Sequence, residues 1–182
     1  MNGTFGTIDP DDPAQVSEYE RHFYHAYAGL TDNTLVRLIW DWDDARQLLR
    51  TKIPYDDQVI YSWRDRDRRL VGAMAANLRL ERGFQGATFG FTPQPGATRS
   101  CEILNVMSAN RHRRWTLVDY RAFIRDFGYG DIVARGFDVA YSTCTRRRLR
   151  PYLRLGAVLL SEGTVNGEER FFLRWPVREL LG

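Results

Sequence analysis

The chain has 182 residues, 43% of them hydrophobic and 13% aromatic, and a formal net charge of +3. That is enough apolar material for a sizeable core and the length of one domain spanning 1–182, which excludes a disordered or fibrous chain. No apolar run approaches the roughly 20 residues of a membrane helix, and the amino terminus lacks a basic-then-apolar leader, so a cytoplasmic protein without a membrane partner is expected.

Residues 4–8 read as a short strand ended by the Asp-Pro-Asp-Asp-Pro turn at 9–13. A helix is expected over 14–28, with Val16, Tyr19, Phe23 and Tyr27 on one side. A second helix is expected from Asn33 to about Arg50, closed by Ile53-Pro54. Alternation over 58–64 and a long apolar run over 69–80 predict a β-hairpin across a charged turn. Gly72 and its neighbouring alanines mark a place where something packs close. Residues 81–99 are too long for an idle turn and read as a substrate-covering loop.

A strand over 100–108 and a helix from about Arg113 to Phe127 follow, then a strand over 137–143. A helix over 146–155 stops at Gly156, and a hairpin turning at Asn166-Gly167 closes the chain. The class is mixed α/β: a central sheet of about six to seven strands with about four helices.

That order of elements resembles the GNAT acyltransferases, and two segments carry the resemblance. Arg-Pro-Tyr-Leu-Arg-Leu-Gly-Ala at 150–157 looks like the family's penultimate-helix signature, with Tyr152 four residues before Gly156. Glu102 to Thr116 resembles its fourth strand running into the pyrophosphate loop. The resemblance implies a splay between strands 102–108 and 137–143, in which a pantetheine arm lies. It implies that Val106, Met107 and Ser108 bind that arm and polarise the thioester carbonyl, and that Arg111, His112, Arg113 and Arg114 face the donor's phosphate at a helix start. Tyr152 then stands as the thiolate's proton donor. Glu102 is the preferred base or water-relay residue. Thr145 is expected to cap the next helix and touch the donor. Trp40, Trp63 and Asn105 are candidates for the acceptor pocket, against the plainer reading of core packing.

The donor loop departs from the family pattern, since Arg114 and Thr116 stand where small residues let amides approach a pyrophosphate. The charge is also polarised. Residues 1–60 carry eleven acids against five bases, while residues 101–155 carry five acids against eleven arginines. Arg111, Arg113 and Arg114 precede one helix and Arg146, Arg147 and Arg148 open the next, which opposes the helix dipole unless an external anion faces both. Both features favour an acyl carrier protein over coenzyme A as donor, as in the similar acyl-homoserine-lactone and N-acyl amino acid synthases of specialised metabolism. The arginines at 146–148 would dock that carrier, and a small-molecule amine would be the acceptor. No tightly bound cofactor and no metal site are expected. The alternatives are a conventional acyl-coenzyme A-dependent acetyltransferase of the GNAT type, and an aminoacyl-tRNA donor or an RNA-binding role, against which the arginines lack the interleaved aromatics of a single-strand platform. Two cysteines make no disulfide framework.

Overall fold

A computed structural model describes residues 3–30, 35–94, 99–109 and 115–182. Strand β1 (Thr4–Thr7) leads into α1 (Pro13–Tyr27), which starts where the sequence places it. Asp12 caps that helix, its Oδ1 accepting from the amides of Ala14 at 2.9 Å and Gln15 at 3.2 Å, and Pro13 occupies the first position, where no amide is needed.

The helix expected over 33–50 is corrected. Among the described residues of that range only α2 (Val36–Ile39) is helical. The chain then forms an antiparallel pair, β2 (Trp40–Asp43) with β3 (Leu48–Thr51), standing apart from the main sheet. Trp40 and Trp42 alternate at a period of two, and Gln47 takes a left-handed φ of 56° that no helix interior tolerates.

Strands β4 (Gln58–Arg64) and β5 (Leu70–Asn77) form the expected hairpin. Strand β6 (Ser100–Ser108) follows. The next helical run is longer than expected: α3 (Leu117–Tyr120), a π-helical stretch Arg121–Tyr129 and α4 (Gly130–Ala134) run end to end. Then come β7 (Val139–Cys144), α5 (Arg146–Arg154), β8 (Val158–Val165), β9 (Glu168–Trp175) and a short helix α6 (Val177–Leu181) that the sequence reading missed. Asn166 and Gly167 both take positive φ, 51° and 81°, the geometry of a two-residue hairpin turn.

The main sheet has seven strands in the order β1-β4-β5-β6-β7-β9-β8. On one face it carries α1, α2, the β2–β3 hairpin and the 84–91 loop, around Tyr19, Phe23, Trp40, Tyr141 and Phe172. The other face carries the 117–134 helical run with α5 and α6, around Trp63, Phe123, Ile124, Phe171 and Trp175. Strand β5 is built from small residues because helices press on both its faces. A Cβ on Gly72 would lie 2.2 Å from Cζ2 of Trp115. Gly72→Val is therefore expected to lower stability by about 2 kcal/mol despite valine's preference for strands. Gly130, helical and with open space around its Cα, should instead gain about 0.5–1 kcal/mol as alanine. Urea melts of the two variants check both signs.

Among the described residues only one pair in the main sheet is parallel, β6 with β7, and it is short. Ser100, Cys101 and Glu102 register with Val139, Ala140 and Tyr141, and pairing stops there. From residue 103 on, β6 stays bound to β5, while β7 continues against β9 through Cys144. The strands part, as the splay expected between these segments requires. A shift of register between Ala75 and Ala76 leaves one extra residue on β6, a bulge at Leu104 that turns the strand at the fork.

Candidate active site

The fork is lined from both faces of the sheet. From α1, Tyr27 donates its hydroxyl to the backbone carbonyl of Val106, at 3.2 Å. From α5, Tyr152 stacks edge-on against Trp175, with ring centres 5.3 Å apart. The two phenols come from opposite layers of the fold, and the charge of Tyr152 adds to the upward shift at Tyr27. Burial raises both above the ordinary tyrosine range; Arg148 opposes the shift at Tyr152 and Cys144 adds to it. The Tyr152 hydroxyl makes no hydrogen bond among the described residues and keeps its proton at neutral pH.

Glu102 sits where the strands part and is 1% exposed. Its Oε2 accepts from the amide of Gln85 and its Oε1 from that of Gly86, both at 2.9 Å. These bonds tie down the 3-10 turn Gln85–Phe89 in the loop that the sequence marked as a cover. Gln85 extends the link: its side-chain oxygen accepts from Trp40 Nε1 at 2.7 Å, and its Nε2 donates to the carbonyl of Leu104. Burial pushes the Glu102 carboxyl up to about 8, against the lowering effect of the two amides. The carboxyl therefore changes protonation near physiological pH, as a group handling an amine's proton must.

Asn105, 5% exposed, faces α1 and donates from Nδ2 to the Tyr19 hydroxyl at 2.9 Å. Its Oδ1 is buried with no partner among the described residues. A buried acceptor left unbonded is costly, and a ligand N–H would satisfy it. Trp40 packs edge-on against Phe23 and Tyr27, each with ring centres 4.7 Å apart, beside this group.

Other expected residues fall elsewhere. Trp63 does not join Trp40: it is buried on the opposite face among Phe5, Trp115 and Phe123, and is corrected to a core residue. Met107 is buried on the α1 face, while Val106 and Ser108 are half-buried on the parting strand. Arg111, His112, Arg113 and Arg114 lie outside the described residues. Thr145 occupies the N-cap position of α5 but makes no side-chain cap bond there. Of the three carrier-docking arginines, Arg146 is bound by Glu169 and lies over the ring of Phe171, which takes up part of its charge. Arg147 is exposed, and Arg148 bears on the fork through Tyr27, Tyr152 and Cys144. Cys101 and Cys144 are free and buried, and burial pushes each thiol up to about 12, which suits neither to nucleophilic work.

Three residues at the site escaped the sequence reading. Tyr27 was grouped with the core stripe of α1, whose spacing tells the face but not the sheet opening beneath it. Gln85 carries no signal in an irregular loop. Arg170, 4% exposed on β9 and lying over Phe89, bears on both Tyr27 and Cys144; an arginine within a strand of aromatics was the one available sign.

The sequence matches no family model and no curated protein. Its structure is similar to BjaI, a CoA-dependent acyl-homoserine lactone synthase solved with SAM and isopentyl-CoA: TM-score 0.69 at 13% identity, covering 99% of this chain and 86% of that one. It is similar to TofI in a ternary complex with an inhibitor and MTA, at TM-score 0.67 and 14% identity over 97% and 92% of the two chains. It also resembles an acetyltransferase assigned to the GNAT family from Desulfovibrio desulfuricans, at TM-score 0.57 and 12% identity over 96% and 99%. The fold is that of the GNAT acyltransferases. Among the described residues no helix is long and apolar enough to cross a membrane, and no three His, Cys, Asp or Glu side chains are grouped to hold a metal ion.

Proposed function

We propose that the chain is an N-acyltransferase that moves an acyl group from a pantetheine thioester, presented by preference on an acyl carrier protein, to the amine of a small molecule. The observation that carries this reading is the fork, where β6 and β7 pair over three residues and then turn unpaired edges toward the space between them. A pantetheine arm is a narrow chain with two amides, and an open strand edge binds such a chain as it binds an added strand.

The amine nitrogen attacks the thioester carbonyl, a C–N bond forms and the C–S bond breaks. Backbone groups at Val106, Met107 and Ser108 hold the arm and stabilise the oxyanion. Tyr152 gives its proton to the departing thiolate. Glu102 takes the amine's proton through water, because both its oxygens already face loop amides. The unbonded Oδ1 of Asn105 receives an N–H of the acceptor, and Trp40 walls that side. Arg148 at the fork, with Arg111 to Arg114 following β6 in sequence, supplies positive charge for the donor's phosphate.

Acyl-coenzyme A is the second reading, favoured by the likeness to BjaI, which is CoA-dependent. Offering the chain the same acyl group on a carrier protein and on coenzyme A, with a panel of amines, separates the two by mass detection of the amide. Faster amide formation from the carrier supports the proposal. Amide from coenzyme A alone reverses the donor, and no amide from either donor refutes acyl transfer.

A further inference from the structure

In an antiparallel ladder, residues that exchange bonds with the neighbouring strand alternate with residues that turn both backbone groups outward. At the end of β6 the amide of Ala109 donates to the carbonyl of Val71 at 3.1 Å, and the register runs unbroken from there to the pairing of Val106 with Met74. The bonded pairs are therefore every second one counted from Ala109, and Val106, three residues away, falls between them. Its N–H and C=O both turn away from β5, into the fork.

That carbonyl holds the Tyr27 hydroxyl at 3.2 Å, the one hydrogen bond this phenol makes among the described residues. A carbonyl can only accept, so the proton is Tyr27's to give. The contact is long for an O–H···O bond, whose usual length is about 2.7–2.8 Å. Phe23 and Trp40 hold the ring, with centres 5.3 and 4.7 Å away. Burial raises the phenol above its ordinary range, so it stays protonated. The O–H bond can turn about the ring's C–O axis while the ring stays in place.

An arm laid along this edge as an added strand brings its own amide N–H to the outward carbonyl of Val106. The hydroxyl then loses its acceptor at the place where the thioester lies. We infer that Tyr27 is a catalytic residue: the donor arm displaces its hydroxyl from Val106, and the freed O–H donates to the oxyanion alongside the amides of the strand. The inference rests on the fork binding a pantetheine arm. As the amine adds, the carbonyl π pair moves onto oxygen. Tyr27 gives that oxygen a hydrogen bond and keeps its proton, and the pair returns to remake the C=O as the C–S bond breaks. A charged oxygen is about twice as strong an acceptor as a neutral one, so the contact strengthens where charge develops. Tyr152 serves the sulfur of the thioester and Tyr27 its oxygen.

The test is titration calorimetry of the full chain with two unreactive donors. One is acetonyl-pantetheine, a thioether with a neutral ketone. In the other a methylphosphinate replaces the ketone, and its anionic oxygens mimic the oxyanion. Tyr27→Phe keeps the ring on Phe23 and Trp40. It should weaken the phosphinate at least tenfold, leave the ketone within twofold, and lower kcat for amide formation at least tenfold. Tyr24→Phe removes a phenol of the same helix, bonded to Asp44 at 2.9 Å, and should change none of these. A phosphinate-to-ketone ratio left unchanged by Tyr27→Phe overturns the inference alone, whatever happens to kcat. A hydroxyl that only holds α1 to β6 would shift both ligands together, or the melting temperature and neither ligand. If neither ligand binds wild type, the fork reading falls and takes the inference with it.

Discussion

Tyr152→Phe is expected to lower kcat for amide formation about 100-fold, near the lower end of what a positioned acid contributes, because a thiol is already a fair leaving group. The phenol stands at the fork with its proton held by burial and its hydroxyl not bonded among the described residues, so removing it takes away a donor without breaking a contact. The ring remains to pack on Trp175, and the melting temperature should hardly move. The defect should shrink with a thiophenyl ester, whose thiolate needs no proton to leave. An undiminished defect would mean that Tyr152 only shapes the slot. Because burial raises this phenol, its loss of a proton should not appear as a falling limb below pH 10.

Glu102→Gln is expected to cost a similar factor, about 100-fold in kcat, and to abolish a rise in rate centred about pH 8, where burial places this carboxyl. The same substitution has a stability signature of known sign. The carboxyl's ordinary value is 4.5 and its folded value about 8, so between these the unfolded chain is ionised while the folded chain holds the proton. The stabilisation is complete below pH 4.5 and is lost as pH rises through 8, at about 1.4 kcal/mol per pH unit at most. Wild type should therefore lose stability relative to Glu102→Gln between pH 5 and 8. A retained kcat with a raised KM for the amine would make Glu102 only the latch of the 84–91 loop.

Much of the fold is legible in the sequence where local chemistry is decisive. The β6 strand has the residues predicted for it, and Asn166-Gly167 fixes the last hairpin because this pair favours the turn with two positive φ angles that joins such strands in two residues. The reading fails where a tertiary contact overrides local pattern. Residues 36–51 carry helix-forming leucines and arginines, but the Trp40/Trp42 alternation and the turn before Leu48 make a hairpin that tucks against α1. The helix over 117–134 passes straight through Gly128 and Gly130, which look like a stop. Gly128 is there to make room, since a Cβ would lie 2.4 Å from the Met74 methyl.

At the site, the sequence supplies residue identities without their faces. Alternation on β4 shows that Trp63 is buried but not on which side, and it lies opposite Trp40. Thr116-x-x-Asp119 is a legible helix-start pattern. Placing the helix start at Arg113 hid it. Glu102 and Tyr152 are candidates by position in a resemblance, while Tyr27 and Gln85 emerge as candidates only when α1 and the 84–91 loop close over the sheet.

In the proposed function the gap between β6 and β7 holds the donor's arm. A crystal structure with a non-hydrolysable acyl-pantetheine amide tests it most directly. The arm should lie between residues 103–108 and 142–144, with its sulfur-equivalent atom about 3 Å from the Tyr152 hydroxyl. An arm bound elsewhere on the surface, with both strand edges bare, would contradict the account.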